Sequence, residues 1–218
     1  MNSVFVTGTD TDVGKTRISV ALIELLQRQG KRAVAMKPIA SGCDLTMDGL
    51  RNDDALQLSQ QADVDLSYEL INPYAFAPAI APHIAAEQAN IVIELAVIKQ
   101  NFDLLQQQSD AVVVEGAGGW LVPINLTETM EDLAIHLNLP VILVVDIRLG
   151  CINHALLTVK AIEATGLKLE GWVANNLGRN PQSIEIVETL TQRIWAPCLG
   201  YVPKLQANES AADYLVLN

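Results

Sequence analysis

The chain has 218 residues, of which 50% are hydrophobic, and it carries a formal net charge of −11. Its length predicts one domain over residues 1–218, and no charge-free apolar run approaches the ~20 residues that a membrane span needs. The acidic surface argues against binding to nucleic acid or to anionic membranes. The sequence starts without a basic, apolar leader, so we expect a cytoplasmic protein with free thiols.

Short apolar strands alternate with longer helical patterns along the chain. The strands are rich in Val and Ile without alternation, which is typical of a parallel sheet covered on both faces. This order predicts a doubly wound α/β fold of the P-loop NTPase type, a mainly parallel sheet flanked by helices. In chain order we predict strand Ser3–Thr7, helix Lys15–Gln29, strand Arg32–Lys37, loops and short helices over residues 38–90, helix Ile91–Gln108, strand Ala111–Glu115, strand Val141–Asp146, helix Cys151–Ala164, strand Gly171–Asn175 and helix Pro181–Ile194.

A glycine-rich segment, GTDTDVGKT, lies between the first strand and the first helix. Five residues separate Gly8 from Gly14, where the usual phosphate loop has four. Backbone N–H groups at such a helix start can surround phosphate oxygens. Lys15 supplies a positive charge and Thr16 a hydroxyl oxygen for Mg²⁺. The alternative is a glycine turn that only caps the helix.

Three later segments are expected at the same edge of the sheet as this loop. Glu115 ends an apolar strand and can complete a magnesium shell, and the small residues that follow let a ligand approach the backbone. Lys37 follows the second strand, and Asp54 closes the sequence RNDD. Taken singly, these segments also fit an ordinary turn or a solvated surface charge.

The motifs together resemble those of the dethiobiotin synthetases over nearly the whole chain. The matching segments, in order, are GTDTDVGKT at 8–16, KPIASG at 37–42, NPY at 72–74, APH at 81–83, VEGAGG at 114–119, LGCINHA at 149–155 and GWVAN at 171–175. The lengthened loop is a feature of that family. The resemblance implies an ATP- and Mg²⁺-dependent ligase, which closes a cyclic urea on 7,8-diaminopelargonic acid with CO2 in biotin biosynthesis.

The resemblance also implies roles for particular residues. Lys15 would bind the phosphates, and Lys37 would stabilise a substrate carbamate and the phosphoryl group it receives. Thr11 and Ser41 would hydrogen-bond the reacting end of the substrate, and Thr16, Asp54 and Glu115 would be the magnesium ligands. The implied nucleotide site comprises Asp12, Val13, Gly14, Lys15, Thr16, Arg17, Asp54, Glu115, Gly116, Ala117, Gly118, the adenine readers Asn175 and Asn176, and Pro203, Lys204 and Leu205.

A homodimer is implied as well. The substrate carboxylate would bind at a helix start formed by Gly150, Cys151, Ile152 and Asn153 of the partner subunit, and local sequence alone also fits a plain helix start there. Two positions depart from the family pattern: Asp12 replaces a longer glutamate and Lys204 a residue that is often apolar.

Two other classes compete with this interpretation. ATPase switches of the partitioning or septum-site type usually carry a second lysine early in the loop, and residues 9–13 contain none. Their frequent basic or amphipathic tail is also missing, since residues 211–218 have no basic residue. Amide-forming synthases of cobalamin biosynthesis usually add a glutaminase domain, for which 218 residues leave no room.

Overall fold

A six-stranded parallel sheet lies at the centre of the computed structural model, which describes residues 2–62, 64–178, 183–206 and 208–217. The strand order is β10-β9-β8-β1-β7-β2. The elements are β1 Val4–Gly8, α1 Lys15–Arg28, β2 Ala33–Met36, β3 Ile39–Ser41, β4 Asp44–Thr46, β5 Gly49–Arg51, α2 Asp53–Gln61, α3 Tyr68–Ile71, β6 Tyr74–Phe76, α4 Pro82–Gln88, α5 Leu95–Gln108, β7 Ala111–Gly119, α6 Met130–Leu137, β8 Val141–Asp146, α7 Cys151–Ala164, β9 Leu169–Asn175, α8 Ser183–Arg193, β10 Cys198–Val202 and a 3-10 helix at Ala211–Tyr214.

Both faces of the sheet are buried. Successive strand residues point to opposite faces, so Phe5 packs in one core with α5, α6, α7 and α8, whereas Val4 and Val6 pack in the other with α1. The unbroken apolar strands follow from this double coverage. The predicted doubly wound fold is confirmed.

Most predicted elements occur with small changes at their ends. Strand β8 and helix α7 have the predicted bounds, while α5 begins four residues later than predicted. Strand β7 continues past Glu115 to Gly119, where Gly119 pairs with Gly8 of β1. The predicted helix from Pro181 is observed from Ser183, and its first two residues lie outside the described ones.

Outside residues 38–90, three described elements were not predicted: α6, β10 and the 3-10 helix at Ala211–Tyr214. Helix α6 begins with a capping box, in which Thr129 and Asp132 bond to each other's backbone N–H groups. A Thr followed three residues later by an acidic residue was a readable signal for it. Strand β10 is short and contains Gly200, and it gains its strand conformation by pairing with β9.

Residues 38–90 form more regular structure than the predicted loops and short helices. They contain two small sheets, the parallel pair β3–β6 and the antiparallel hairpin β4–β5, in addition to three short helices. Strands of three residues carry no period that a sequence pattern could show.

None of the helices in the described ranges is both long and apolar enough to cross a membrane. The cysteines Cys43, Cys151 and Cys198 are free, as expected.

Candidate active site

The phosphate loop connects the end of β1 to the start of α1. Asp12 and Gly14 have positive φ angles of 56° and 88°. Gly14 is the residue preceding the helix, and a Cβ there would collide with Nδ2 of Asn175. The sharp turn between the phosphate loop and α1 therefore requires glycine at this position.

Lys15 is buried at the first position of α1. Its Nζ donates a hydrogen bond to the carbonyl oxygen of Asp10 across the loop, at 2.9 Å. Burial, together with the positive charge of Lys37, lowers the pKa of Lys15 to about 8. The loop thus holds a lysine whose charge an incoming phosphate would stabilise.

Lys37 follows β2 and forms a buried ion pair with Glu115 of β7. Its Nζ lies 2.6 Å from Glu115 Oε1 and 3.4 Å from Asp54 Oδ2, and it also donates to the Gly116 carbonyl at 3.3 Å. Burial acts to lower the pKa of Lys37, but the charges of Glu115 and Asp54 outweigh it, so that this pKa is raised. Lys37 is therefore a cation at neutral pH.

Glu115 connects this lysine to the phosphate loop. Its Oε1 accepts from Lys37 and also from the Thr16 hydroxyl, at 3.0 Å. Its Oε2 is buried without a hydrogen-bond partner among the described groups. An unpaired buried carboxylate oxygen is costly, and a bound cation would satisfy it.

A cavity of about 980 Å³ opens over these groups at the carboxyl ends of β1, β2 and β7. Its lining combines the phosphate loop with the segment from β3 to α4 and the end of β7. Of the predicted site residues, it is lined by Thr11, Asp12, Gly14, Lys15, Thr16, Arg17, Lys37, Ser41, Asp54, Glu115, Ala117 and Gly118. The side-chain oxygen of Ser41 is buried and has no partner within the described residues.

Other predicted site residues lie outside the lining of this cavity. Val13 is buried in the core, and its carbonyl accepts from Asn175 Nδ2 at 2.7 Å, so Asn175 contacts the phosphate loop. Asn176 donates to the Tyr201 hydroxyl at 2.6 Å. Pro203, Lys204 and Leu205 follow β10, and Leu205 packs on the core beside α1.

The predicted carboxylate site lies at the start of α7. Gly150 precedes the helix with a φ of 88°, Cys151 is buried and Asn153 is exposed. With Ile152, these residues do not line the cavity of their own chain.

Arg148 connects this helix start to the phosphate loop. Its guanidinium lies 3.1 Å from Asp10 and 3.4 Å from the buried Asp146 at the end of β8.

The described residues contain no cluster of three or more His, Cys, Asp or Glu side chains suited to a metal ion. The predicted magnesium ligands consist of two carboxylates and one hydroxyl. Thr16 and Glu115 are in hydrogen-bond contact, and both carboxylates contact Lys37 Nζ. A set of only a few protein oxygens is typical of a Mg²⁺ site, because the ion usually keeps several waters and binds substrate phosphates.

Sequence reasoning missed a set of polar residues behind Lys37. Asn72 begins the segment NPY at 72–74, but nothing in the sequence indicated that it contacts Lys37. Tyr68 and Asn52 complete a hydrogen-bonded chain with it.

Comparisons with known proteins give strong matches in sequence. A family model described as an AAA domain matches residues 2–212. An ATP-dependent dethiobiotin synthetase BioD of Pseudomonas aeruginosa (strain UCBPP-PA14) is 50% identical over 97% of this chain and 94% of its own length. A protein of the same name from Chromohalobacter salexigens is 46% identical over 100% of this chain and 98% of its own.

Solved structures show a similar fold at low identity. The septum site-determining protein MinD with Mg-ADP, from Pyrococcus horikoshii OT3, has a TM-score of 0.61 at 14% identity, over 94% of this chain and 82% of that chain. The MinC:MinD cell division complex from Aquifex aeolicus has a TM-score of 0.59 at 16% identity, with the same coverage. At identities this low, the similarity shows a shared fold and does not indicate a shared function.

Proposed function

The chain belongs to the ATP-dependent dethiobiotin synthetase family, and we propose that the cavity at the phosphate loop is its active site. The protein is an ATP-dependent ligase that closes 7,8-diaminopelargonic acid with CO2 to dethiobiotin, in the biotin pathway. The observation that carries the site assignment is the convergence of Lys15, Lys37 and Glu115 in one cavity.

The reaction requires a carbamate to meet the terminal phosphoryl group of ATP. One substrate amine takes up CO2 as a carbamate, whose oxygen attacks the γ-phosphorus while ADP leaves. The second amine then attacks the carbamoyl carbon of the mixed anhydride, phosphate departs with the bridging oxygen, a proton is released and the ring closes. Phosphorylation is needed because a carbamate is itself a poor electrophile.

Lys15 and Lys37 address the central difficulty of this step, which is repulsion between two anions. Lys15, on the loop, would bind the β- and γ-phosphates. Lys37, held in place by the buried Glu115 and the partly exposed Asp54, would bind the carbamate and the transferring oxygens. Both amines are buried, where a charge interacts more strongly than in water. No protein nucleophile is required.

A magnesium site fits the same cavity. The unpartnered Oε2 of Glu115, the Thr16 hydroxyl and the Asp54 carboxylate are hard oxygen donors of the kind Mg²⁺ prefers. When bound, Mg²⁺ supplies positive charge that offsets the developing charge on the phosphoryl group. Thr16 and Glu115 would orient it from the loop and from β7.

The remaining residues are assigned to binding. Thr11 and Ser41 would hydrogen-bond the reacting end of the substrate, and the unpartnered hydroxyl of Ser41 suits that role. The nucleotide would lie along Asp12–Arg17 and Glu115–Gly118, with its base near Asn175, Asn176 and the segment 203–205.

A homodimer completes the proposed site. The start of α7, from Gly150 to Asn153, would bind the substrate carboxylate in the cavity of the partner subunit. The Cys151 N–H donates to the Arg148 carbonyl, and the N–H groups of Ile152 and Asn153 together with the helix dipole would favour an anion. The position of this helix start outside its own chain's cavity supports the proposal.

The test is ADP release measured with and without diaminopelargonic acid and bicarbonate. We expect release to depend on both compounds and dethiobiotin to accumulate with it. ATP hydrolysis that is indifferent to the diamine would instead indicate an ATPase switch.

A further inference from the structure

A chain of hydrogen bonds runs behind the cavity, from the backbone of Lys37 to the start of α2. The Nδ2 of Asn72 donates to the Lys37 carbonyl at 2.7 Å. The Tyr68 hydroxyl donates to Asn72 Oδ1 at 2.9 Å and accepts from the Asn52 backbone N–H at 2.8 Å. Lys37 and Asn52 line the cavity, whereas Tyr68 and Asn72 lie behind them, outside its lining.

Both ends of the chain are fixed by further bonds. The backbone N–H of Lys37 donates to the Ile71 carbonyl at 2.8 Å, so the peptide groups on both sides of Lys37 are held by the segment that carries Asn72. Asn52 caps α2 by accepting from Ala55 N–H at 3.2 Å. Asp54 lies two residues after Asn52, in the first turn of that helix.

These hydrogen bonds therefore connect the end of β2, which is followed by the cation Lys37, to the start of α2, which carries the anion Asp54. Lys37 Nζ and Asp54 Oδ2 are 3.4 Å apart, yet their backbones belong to separate segments. The bonds through Tyr68 and Asn72 connect these two segments, in addition to the packing of α2 on β2 and α1. Asn72 is buried, and burial raises the pKa of the Tyr68 hydroxyl, so the hydroxyl remains a neutral donor.

We propose that Tyr68 and Asn72 are positioning residues that hold Asp54 and Lys37 in the geometry needed to bind Mg²⁺ with the nucleotide. The proposal rests on the proposed function and extends it to residues outside the cavity lining. Neither residue lines the cavity. Their loss would act through Asp54, the member of the proposed magnesium set that lies in the first turn of α2.

The protein contains two tyrosines that allow a variant and a matched control. Tyr68→Phe removes only the hydroxyl and retains the ring beneath Arg51, whose guanidinium lies 4.1 Å from the ring centroid. Tyr74→Phe removes another tyrosine hydroxyl from the same segment, one that accepts from the Glu94 N–H at 3.1 Å, at the start of α5. Both changes leave one backbone N–H without its partner, but only the first breaks the chain to Asp54.

The experiment is calorimetric titration of ADP into each protein, in the presence of Mg²⁺ and in the presence of EDTA. For Tyr68→Phe we expect the Kd of ADP with Mg²⁺ to rise about fivefold, the scale of one lost buried hydrogen bond, while the Kd in EDTA stays unchanged. Tyr74→Phe should match the wild type in both titrations. In an Asp54→Asn background, Tyr68→Phe should have no further effect, because interacting residues are not additive.

Several results would overturn the proposal. These are equal weakening of ADP binding with and without Mg²⁺, the same loss in Tyr74→Phe, an effect that persists with Asp54→Asn, or no effect at all. If Tyr68→Phe does not fold, Asn72→Ala replaces it. This variant removes the hydrogen bond to the Lys37 carbonyl, and the same titrations and expected results apply to it. The diamine dependence of wild-type ADP release is a separate measurement, so a failure of the proposed function is recognised independently.

Discussion

At the scale of single residues, Lys15 and Lys37 are both buried but differ in the groups that contact their amines. Lys37 contacts two carboxylates, whereas the Nζ of Lys15 donates to a backbone carbonyl. Burial and the neighbouring Lys37 charge lower the pKa of Lys15 to about 8, and the carboxylates outweigh burial to raise that of Lys37. Of these two lysines, Lys15 is therefore the one whose charge changes near physiological pH.

We expect the affinity for ADP to fall as the pH rises through about 8. The proposed phosphate binding uses the charged form of Lys15, and the free protein loses that proton from a pKa of about 8 upward. The folded pKa lies below the unfolded value of 10.5, so the stability of the nucleotide-free protein should rise with pH between these values. Titration of ADP from about pH 7 to 9.5 measures the first effect.

Lys15→Arg is the control for this pH dependence. Arginine stays charged across the range, so the fall near pH 8 should disappear. A fall of equal size in the arginine variant would assign the effect to another group.

Replacing Lys37 with alanine should abolish ring closure and also destabilise the fold. The change leaves Glu115 as a buried charge without its cation, which costs about 3 kcal/mol. Product formation and urea unfolding measure the two effects. Exchanging Lys99 for alanine is the control, since its ion pair with Asp103 is half-exposed and contributes under about 1 kcal/mol. Normal turnover without Lys37 would contradict its proposed role.

At the scale of elements, the junction of the phosphate loop and α1 is the most constrained turn of the site. Gly14→Ala should prevent nucleotide binding, because the added Cβ collides with Asn175 as well as straining a positive φ. Gly30→Ala, after the same helix, has a similar φ of 79° and nothing near its Cβ. It should cost about 1 kcal/mol in stability and leave ADP binding unchanged. Equal ADP affinity in both variants would contradict the expected collision.

Elements with a strong local signal were predictable from sequence. Strand β8 is an apolar run of five residues that begins after Pro140 and ends at Asp146, and its bounds were predicted. The extension of β7 through its glycines was not, because Gly disfavours strands and only the pairing with β1 holds it there. Strand β10 was missed for the same reason, since Gly200 obscures a strand that depends on β9.

The sequence predicted which residues of the candidate site lie along one edge of the sheet, but not all the side-chain contacts between them. Parallel topology places the ends of β1, β2 and β7 together, so the meeting of Lys15, Lys37 and Glu115 followed from strand order. The chain from Lys37 through Asn72 and Tyr68 depends on how residues 38–90 fold back on the sheet. No period in the sequence encodes that packing.

At the scale of the whole molecule, the overall charge and the charge of the site differ. The chain carries a net charge of −11, whereas the cavity lining holds three basic residues, Lys15, Arg17 and Lys37, against three acidic ones, Asp12, Asp54 and Glu115. An anionic ligand therefore meets less repulsion at the cavity than over the rest of the acidic surface.

Composite sites in a homodimer would allow one defective protomer to complement another. Asn153→Asp keeps a residue that suits the first turn of α7 but repels a substrate carboxylate, and Lys37→Ala disables the other half of the site. Each variant alone should be inactive. An equal mixture, unfolded and refolded together, should regain about a quarter of wild-type activity, since half the dimers then contain one intact site. No recovery, together with a monomeric mass in sedimentation, would contradict the shared site.

The coupling of ATP use to carbon incorporation is the most direct measurement of the assigned reaction. The purified protein is supplied with ATP, Mg²⁺, diaminopelargonic acid and ¹³C-bicarbonate, and ADP and dethiobiotin are quantified together by mass spectrometry. We expect one dethiobiotin for each ADP, with the heavy carbon in its cyclic urea. ADP that accumulates while no labelled cyclic urea forms would contradict the assignment.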